Sequence, residues 1–563
     1  MSAIQQLITE HMDIWTAADT GKRSGRGRAS SNAGSVYGVK KLRELILELA
    51  VRGKLVPQDT NDEPASELLK RIQAEKAKLV AEGKIKKEKP LALITDDEKP
   101  FVLPLGWVFV RNYALFQLRK GRIPKSLNED ELGLPYLDID ALDRNIIRRY
   151  SEELTCPQST DKDILVVCDG SRSGLVLDGK NGIIGSTLSI IDTPVFIQNY
   201  IKLIFKQGFD IFNTSMKGAA IPHLDTQKLL QNPTALPPLA EQHRIVTKVD
   251  ELMALCDQLE AQHSNAAEAH EKLVSHLLET LTQSQSADDF SANWQRIAAN
   301  FDTLFTTEAS IDELKQTLLQ LAVMGKLTKQ TSTSLLEEMN DKTIAERGLL
   351  KLGKGEQANL NIPIKESELP FQIPSNWGRI RLGKIVDIIG GSQPPKSVFI
   401  ETQKIGYTRL IQIRDFKSDN YPTYIPDKYA NRMFEKDDIM IGRYGPPVFQ
   451  ILRGLRGTYN VALMKAEPIN EIVSKDFLYY LLSEPRIQNL VIKESERTAG
   501  QTGIRKDLLY MFVVGLPPKE EQYRIVAKVD ELMALCDQLK TLIQQANQQQ
   551  QSIANVLVAQ VLK

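Results

Sequence analysis

The chain has 563 residues, 42% hydrophobic and 25% charged, with 71 basic residues set against 71 acidic ones. A formal charge of zero excludes a polycation that holds nucleic acid by bulk attraction, so any such binding must come from local patches. No stretch offers the ~18 uninterrupted apolar residues of a membrane-spanning helix, and four cysteines without a C-x-x-C pair argue against a disulfide framework or structural zinc and for a reducing cytoplasm.

The first residues, M-S-A-I-Q-Q-L-I-T-E-H-M-D, carry Glu10 and Asp13 inside their apolar run and lack a basic end, unlike a secretory signal. A basic Gly/Ser stretch at 22–28 reads as a loop, and 39–51 as a helix. P-F-V-L-P-L-G-W, ending at Trp107, leads into a turn-rich region whose runs at 134–140, 163–168 and 186–191 read as strands, with a helical stretch at 195–207. Pro237 and Pro238 then suit the first turn of a long helix, and Glu241 favours that turn electrostatically. The seam Ile245, Val249, Leu252, Cys256, Leu259, His263, Ala266, His270, Leu273 and Leu277 steps by four and three, which predicts a coiled-coil rod. At 1.5 Å per residue the rod is about 55 Å long. The segment 282–293 breaks it, and a helix over 294–321 follows, ended by Gly325. P-F-Q-I-P-S-N-W, ending at Trp377, leads into a second turn-rich region with strands at 408–413, 438–443 and 460–465 and a helical stretch at 475–493. A second rod carries the seam Ile525, Val529, Leu532, Cys536, Leu539, Ile543, Ala546, Gln550, Ile553 and Leu557.

The chain repeats itself once. Positions 236–259 and 516–539 agree at 20 of 24 residues, at an offset of 280. L-R-E-L-I-L-E-L-A-V-R-G-K-L-V-P-Q (42–58) and L-K-Q-T-L-L-Q-L-A-V-M-G-K-L-T-K-Q (314–330) match at 272, and the two segments ending in tryptophan match at 270. The regions 107–236 and 377–516 scarcely match, so two near-identical frames hold two different inserts. The chain begins with the short-helix element and ends with the rod element. If the first packs on the second, the halves become equivalent and pseudo-twofold symmetric.

Tests for catalysis return little. G-L-L-K-L-G-K-G (348–355) imitates a phosphate-binding loop but lacks the Ser/Thr that binds magnesium and follows no strand. Asp169 with Asp178 and Lys180 loosely imitates a nuclease carboxylate–lysine set, but the surrounding glycines read better as turns. His263 and His270 have no third ligand in phase, so they read as register-setting residues rather than a metal pair. Net charge is +1 over 99–235 and +6 over 370–515, from 16 basic against 15 acidic and 21 against 15. The candidates for reaching phosphate or base edges are Arg119, Lys120, Arg122, Lys125, Arg172, Lys217, Lys396, Arg409, Arg414, Arg443, Arg453, Arg456, Arg505 and Lys506. The competing reading of any one of them is a solvated surface charge.

The twin L-P-P-x-x-E-Q-x-R-I-V frames resemble those of the specificity subunit of type I restriction–modification systems. So do the segments around Trp107 and Trp377 and the G-R-I-P-K-S (121–126) and G-S-Q-P-P-K-S (391–397) that follow them. The resemblance implies an α+β chain: two mixed α/β target-recognition domains joined by two long antiparallel coiled-coil helices. It divides the chain into an N-terminal helical conserved region at 1–98, domains at 99–235 and 366–515, a central helical region at 236–365 and a final helix at 516–563. It also implies a non-catalytic function. Each domain reads one half of a bipartite target in double-stranded DNA, and the rod sets the spacer. Two modification subunits with S-adenosylmethionine methylate adenine, and restriction subunits with ATP and magnesium translocate and cut. The alternatives are a two-headed coiled-coil scaffold that binds proteins, and a nuclease.

Overall fold

Two helices of 45 and 44 residues, Leu239–Gln283 and Lys519–Leu562, carry the 24-residue repeat and run through the whole architecture. In this computed structural model the chain divides into two units, residues 1–267 with 546–563 and residues 268–545. The structure describes all residues except 1–5, 7, 9, 18–35, 82–92, 215–222, 331, 336–359, 366–367, 370, 445–447, 470, 497–503, 505 and 563. The basic stretch at 22–28 and the phosphate-loop imitation at 348–355 therefore lie outside the described residues.

In the first unit the short helix Tyr37–Val51 buries Val39, Leu42, Ile46 and Leu49 at helical spacing. They join Ile245, Val249, Leu252, Cys256 and Leu259 from the start of the first rod helix. Ala554, Leu557, Val558 and Val561 from the end of the second rod helix complete the cluster. Arg43 reaches Asp257 at 2.7 Å and Glu260 at 2.8 Å, so the short helix runs against the first rod helix. Tyr37 meets Asn555, and Lys54 meets the Leu562 carbonyl at 3.3 Å, so it runs along the second. Further on, Gln58 meets Glu241 at 3.1 Å, so this stretch of chain descends the first rod helix as it ascends the second, and the two rod segments are antiparallel.

The second unit uses the equivalent residues. The helix Glu308–Val323 buries Ile311, Leu314, Leu318 and Leu321 with Leu532, Cys536, Leu539 and Ile543 and with Val274, Leu278 and Leu281. Lys315 meets Asp537 at 2.6 Å, and Lys326 meets the Thr282 and Ser284 carbonyls at 2.9 Å. Gly53 and Gly325, both at φ +68°, close the two short helices. The lysine after each glycine then sets its ammonium on the last carbonyls of a rod helix, the negative end of the helix dipole. The charges at one pair of positions are inverted between the units. Asp312 and Lys540 meet at 2.7 Å. By the offsets of 272 and 280, Lys40 and Glu260 hold those places in the first unit.

Several details differ from the sequence reading. The seam is not one continuous heptad stripe. After Leu259 the first rod helix is exposed or half-buried until Val274, and the buried positions resume at Val274, Leu278 and Leu281, one residue later than the heptad phase of Leu273 and Leu277. A helix with 3.6 residues per turn drifts ~20° per heptad, so over four or five heptads a straight helix slips by about one position. Ala546 and Ile553 are exposed and Ala554 buried for the same reason. The helix expected at 294–321 is instead Ala287–Ala299, a short turn and Glu308–Val323, because Thr307 accepts the Ser310 amide and starts a new helix. The stretch at 475–493 breaks before Pro485 into Lys475–Ser483 and Pro485–Glu496.

The two inserts share one topology despite their sequences. In the first unit β1 (Val108–Arg111) pairs with β10 (Pro233–Leu236) at the base. Above it one four-stranded sheet has the order β2 (Gln117–Lys120), β9 (Leu188–Asp192), β6 (Ile164–Val167), β7 (Val176–Asp178). The other has the order β4 (Tyr150–Ser151), β3 (Leu134–Leu137), β8 (Gly182–Ile184), β5 (Gln158–Ser159), with β3 and β8 parallel. In the second unit β11 (Gly378–Arg381) pairs with β20 (Val513–Leu516). One sheet follows as β12 (Val386–Gly390), β19 (Leu463–Pro468), β16 (Ile439–Gly442), β17 (Ile451–Leu452). The other is β14 (Tyr424–Pro426), β13 (Tyr407–Ile411), β18 (Gly457–Tyr459), β15 (Met433–Phe434), again with the middle pair parallel. The run at 134–140 is a strand only to Leu137, because Asp138 caps the helix Ile139–Asp143.

Each mixed domain is held to its rod by a buried tryptophan. The Trp107 indole donates to Glu241 at 2.9 Å, and Gln58 donates to the same carboxylate at 3.1 Å. In the second unit the Trp377 indole donates to Glu521 at 3.0 Å and Asn376 donates at 3.0 Å. Glu241 lies in the first turn of its helix as a buried acceptor, and burial pushes its carboxyl above the usual range against the pull of its two donors. Glu241→Ala leaves a buried indole N–H without an acceptor. It is expected to lower stability by about 1–3 kcal/mol, read as a lower urea midpoint, while Glu241→Gln keeps an acceptor and loses less.

Candidate nucleic-acid interface

Three chain segments meet at one end of the first mixed domain. They are the loop after β2, the segment after β6 and the chain just before Leu224. The Gly121 amide donates to the Leu188 carbonyl at 2.9 Å and the Arg122 amide to that of Ile184 at 3.1 Å, which lays the loop across β8 and β9. A Cβ on Gly121 would stand 2.2 Å from the Gly185 carbonyl oxygen, so close approach of the backbone demands glycine there. The Cys168 amide donates to Thr187 at 2.8 Å, and the Leu224 amide to the Cys168 carbonyl at 2.8 Å.

The second domain repeats each bond. Gly391 donates to Leu463 at 3.1 Å, Ser392 to Tyr459 at 3.1 Å, Arg443 to Ala462 at 2.8 Å and Ile504 to Arg443 at 3.4 Å. A Cβ on Gly391 would stand 2.0 Å from the Asn460 carbonyl oxygen. The loop of the second domain, G-S-Q-P-P-K-S, has one proline more than G-R-I-P-K-S, and this leaves the start of the loop unchanged. The pairs Gly121/Gly391, Cys168/Arg443 and Leu224/Ile504 mark equivalent points on a common backbone.

The side chains on that backbone differ. In the first domain Lys120 stands 3.5 Å from one oxygen of Asp169, and the other oxygen lies 2.7 Å from His223 Nδ1. Arg122 donates to Glu153 at 3.2 Å, and Glu153 also accepts the Lys125 amide at 2.7 Å. Arg172 meets Asp143 at 2.8 Å. Arg119 forms a two-pronged pair with Asp192 on the neighbouring strand, at 3.0 and 2.9 Å. In the second domain the Arg443 guanidinium lies 5.1 Å from the centre of the Tyr444 ring. Arg409 pairs with Asp419, and Arg414 lies 3.7 Å from Asp415. Lys396 is exposed at the start of the short 3-10 helix Lys396–Val398, and Arg456 is exposed on a loop. Arg453 is drawn into the domain, 2.8 Å from Asp476 and 4.0 Å from the Tyr479 ring centre. Lys506 likewise braces Asp387 at 3.4 Å. Lys217 and Arg505 lie outside the described residues.

The sequence-level candidates thus divide. Lys120 and Arg122 reach the meeting point in the first domain, as Arg443 does in the second. Arg119, Arg453 and Lys506 hold strands and helices together. His223 and Tyr444 were missed, because neither belongs to a motif. For His223 the available signal was the offset of 280 seen from Leu236 onward, which, carried back a few positions, sets Leu224 against Ile504; for Tyr444, at an offset of 275 from Asp169, there was none.

The catalytic imitations do not assemble. Asp178 pairs with Lys202, while Lys180 donates to the Ala141 carbonyl at 2.7 Å and to Asn145 at 2.8 Å. His270 bonds the Thr303 carbonyl at 3.0 Å. Among the described residues no group of three or more His, Cys, Asp or Glu could hold a metal ion, and no helix is long and apolar enough to cross a membrane. Burial pushes the Cys256 thiol up to about 11, which fits a small core residue.

The chain is similar to known proteins. The family model described as the type I restriction modification DNA specificity domain matches residues 104–269 and 374–548. The chain is 36% identical over 593 residues to the type I restriction enzyme EcoAI specificity subunit of Escherichia coli, covering 99% of each. It is 34% identical over 595 residues to the EcoEI specificity subunit of the same organism, again covering 99% of each. Among solved structures it is similar to the HsdS subunit from Thermoanaerobacter tengcongensis, at 18% identity, covering 83% of this chain and 98% of that one, with a TM-score of 0.36.

The glycine contacts are testable directly. Gly121→Ala and Gly391→Ala each force a Cβ onto a backbone oxygen. Each is expected to cost about 1–3 kcal/mol, read as a lowered melting transition of the full chain.

Proposed function

The chain belongs to the family of type I restriction–modification specificity subunits, and we propose that it reads a split DNA target, one half-site per mixed domain, for enzymes carried on partner subunits. The observation that carries this is the pairing of one backbone with two different sets of side chains. Two domains with the same strand order and the same loop bonds present Lys120, Asp169 and His223 in one and Arg443 and Tyr444 in the other. That arrangement suits two different sequences read in the same way, hence an asymmetric target.

The division of the chain follows. Residues 1–98 and 236–365 with 516–563 form the frame, and 99–235 and 366–515 the two readers. Lys120, Arg122, Lys125, Arg172 and Lys217 serve the first half-site. Lys396, Arg409, Arg414, Arg443, Arg456 and Arg505 serve the second. The rod helices set the spacer: 45 residues at 1.5 Å per residue give about 68 Å, ample for half-sites one DNA turn, ~34 Å, apart. Two modification subunits supply S-adenosylmethionine and take the adenine out of the stack. Restriction subunits supply ATP-driven translocation and cleavage with magnesium. The assembly works in the cytoplasm, and this chain contributes recognition alone.

The test is methylation mapping. The chain is expressed with its modification subunit in a host that lacks DNA methylation, and modified bases are located by sequencing. A split, asymmetric motif is expected. A stable complex that marks no DNA would instead make the chain a protein-binding scaffold. A second measurement addresses the spacer. Deleting residues 261–267 and 541–547 together removes one heptad from each rod where the helices are least buried. The half-site sequences are expected to persist while the spacing between them changes.

A further inference from the structure

We propose that His223, oriented by Asp169, reads a base edge in the half-site of the first domain, with Lys120 beside it on a phosphate. This rests on the DNA-reading function above and names residues within it.

The argument begins with the shared backbone. Where two domains have the same hydrogen bonds, a difference in what they read must come from side chains that differ at equivalent points. The segment after β6 is such a point, tied to its neighbours by Cys168 in one domain and Arg443 in the other. One residue further on stand Asp169 and Tyr444. The end of β2 carries Lys120 where the end of β12 has Gly390, and the residue before Leu224 is His223 where the residue before Ile504 is Gly503. The Lys120–Asp169–His223 group therefore belongs to one domain only.

Its geometry is that of a held donor–acceptor pair. The Asp169 side chain is only 18% exposed, and its two oxygens are divided between its partners. His223 Nδ1 sits at 2.7 Å from one, and Lys120 Nζ at 3.5 Å from the other. The backbones of Asp169 and His223 form an isolated β-bridge, which fixes both Cα positions. The His223 and Lys120 side chains are 54% and 60% exposed, so their outer ends face solvent. A carboxylate on Nδ1 places the proton of the neutral ring there and leaves Nε2 as a bare acceptor. Among the described residues Nε2 has no partner. An outward acceptor of fixed position matches an exocyclic amino group, adenine N6 or cytosine N4, in the major groove. Lys120, a compact charge on a flexible stem, suits a phosphate. Asp169 is the positioning residue.

The experiment uses the complex of the full chain with its modification subunit. Binding is measured against a panel of duplexes that carry each single base-pair change in the mapped target. His223→Ala and Asp169→Asn are expected to lose discrimination at the same one base pair, by about tenfold or more, and to keep it everywhere else. Tyr444→Ala is expected to act in the other half-site. Lys120→Ala is expected to weaken all duplexes alike and to reduce the salt slope by about one. Unchanged discrimination in His223→Ala overturns the proposal. So does a uniform loss at every position in both His223→Ala and His223→Gln, which a merely structural role would give. A wild-type complex that discriminates at no base pair overturns the DNA-reading function itself, and the assignment of His223 with it.

Discussion

The hydrogen bond from a buried tryptophan to a buried glutamate at the head of each rod helix is the constraint on which the rest of the architecture hangs. A carboxylate at 1% exposure is costly unless donors surround it. Trp107 and Gln58 supply them for Glu241, and Trp377 and Asn376 for Glu521. Each pair fixes where the chain enters β1 or β11 relative to the helix that leaves β10 or β20. The mixed domain then grows from a two-stranded base whose position is already set. A second tie reinforces it: Arg111 bridges Glu98 and the Gln231 carbonyl, and Arg381 bridges Glu368 and the Met511 carbonyl. Arg111 holds the Glu98 carboxyl down at about 2, so that bridge keeps its charge through ordinary pH.

The helical frame shows how a duplicated element stays specific. The short helix of each unit presents the same apolar stripe to the same apolar positions of its rod, so burial alone would not distinguish one rod from the other. The polar flank does. In the first unit Arg43 faces Asp257 and Glu260; in the second Lys315 faces Asp537 while Asp312 faces Lys540. Exchanging the short helices would set Lys40 and Arg43 near Lys540, and Asp312 near Glu260. Exposed pairs of this kind are worth little singly, but the one inverted set of positions adds a repulsion to the exchanged state that the native one does not have.

The frame was legible because duplication preserved identity where packing demanded it: the tryptophans, the glutamates, the G-K-L turns and the apolar stripe. The extent of the rod was legible and its seam only in part, because the heptad was extended past Leu259 into a stretch where the helix buries little. The common topology of the inserts was not legible. Their strands are two to six residues long, and what the domains share is backbone bonding and a few close approaches, as at Gly121 and Gly391. Those constrain residue identity at single positions. The register shows where length was gained: the offset between equivalent residues is 270 at Gly121 and Gly391, 274 at Leu137 and Ile411, 275 at Leu188 and Leu463, and 280 at Leu224 and Ile504. An alignment needs those steps, and sequence alone does not mark them. The basic candidates could not be told apart in the sequence for a related reason. A basic residue read from sequence has no known partner, and Arg119 finds Asp192 and Arg453 finds Asp476 only in the folded chain.

That last observation bears on how such a domain divides affinity from specificity. In the first domain Arg119, Lys120, Arg122 and Arg172 each stand within 4 Å of a carboxylate, as Arg409, Arg414 and Arg453 do in the second. A phosphate that recruits one of these cations competes with a partner already in place, so the net electrostatic gain per contact is smaller than for a free lysine. The sequence-independent part of binding is reduced in proportion, which agrees with a chain of zero net charge. Contacts to base edges are not reduced in the same way, because a side chain braced by a carboxylate loses less freedom when it meets its base. A reader built like this trades grip for discrimination.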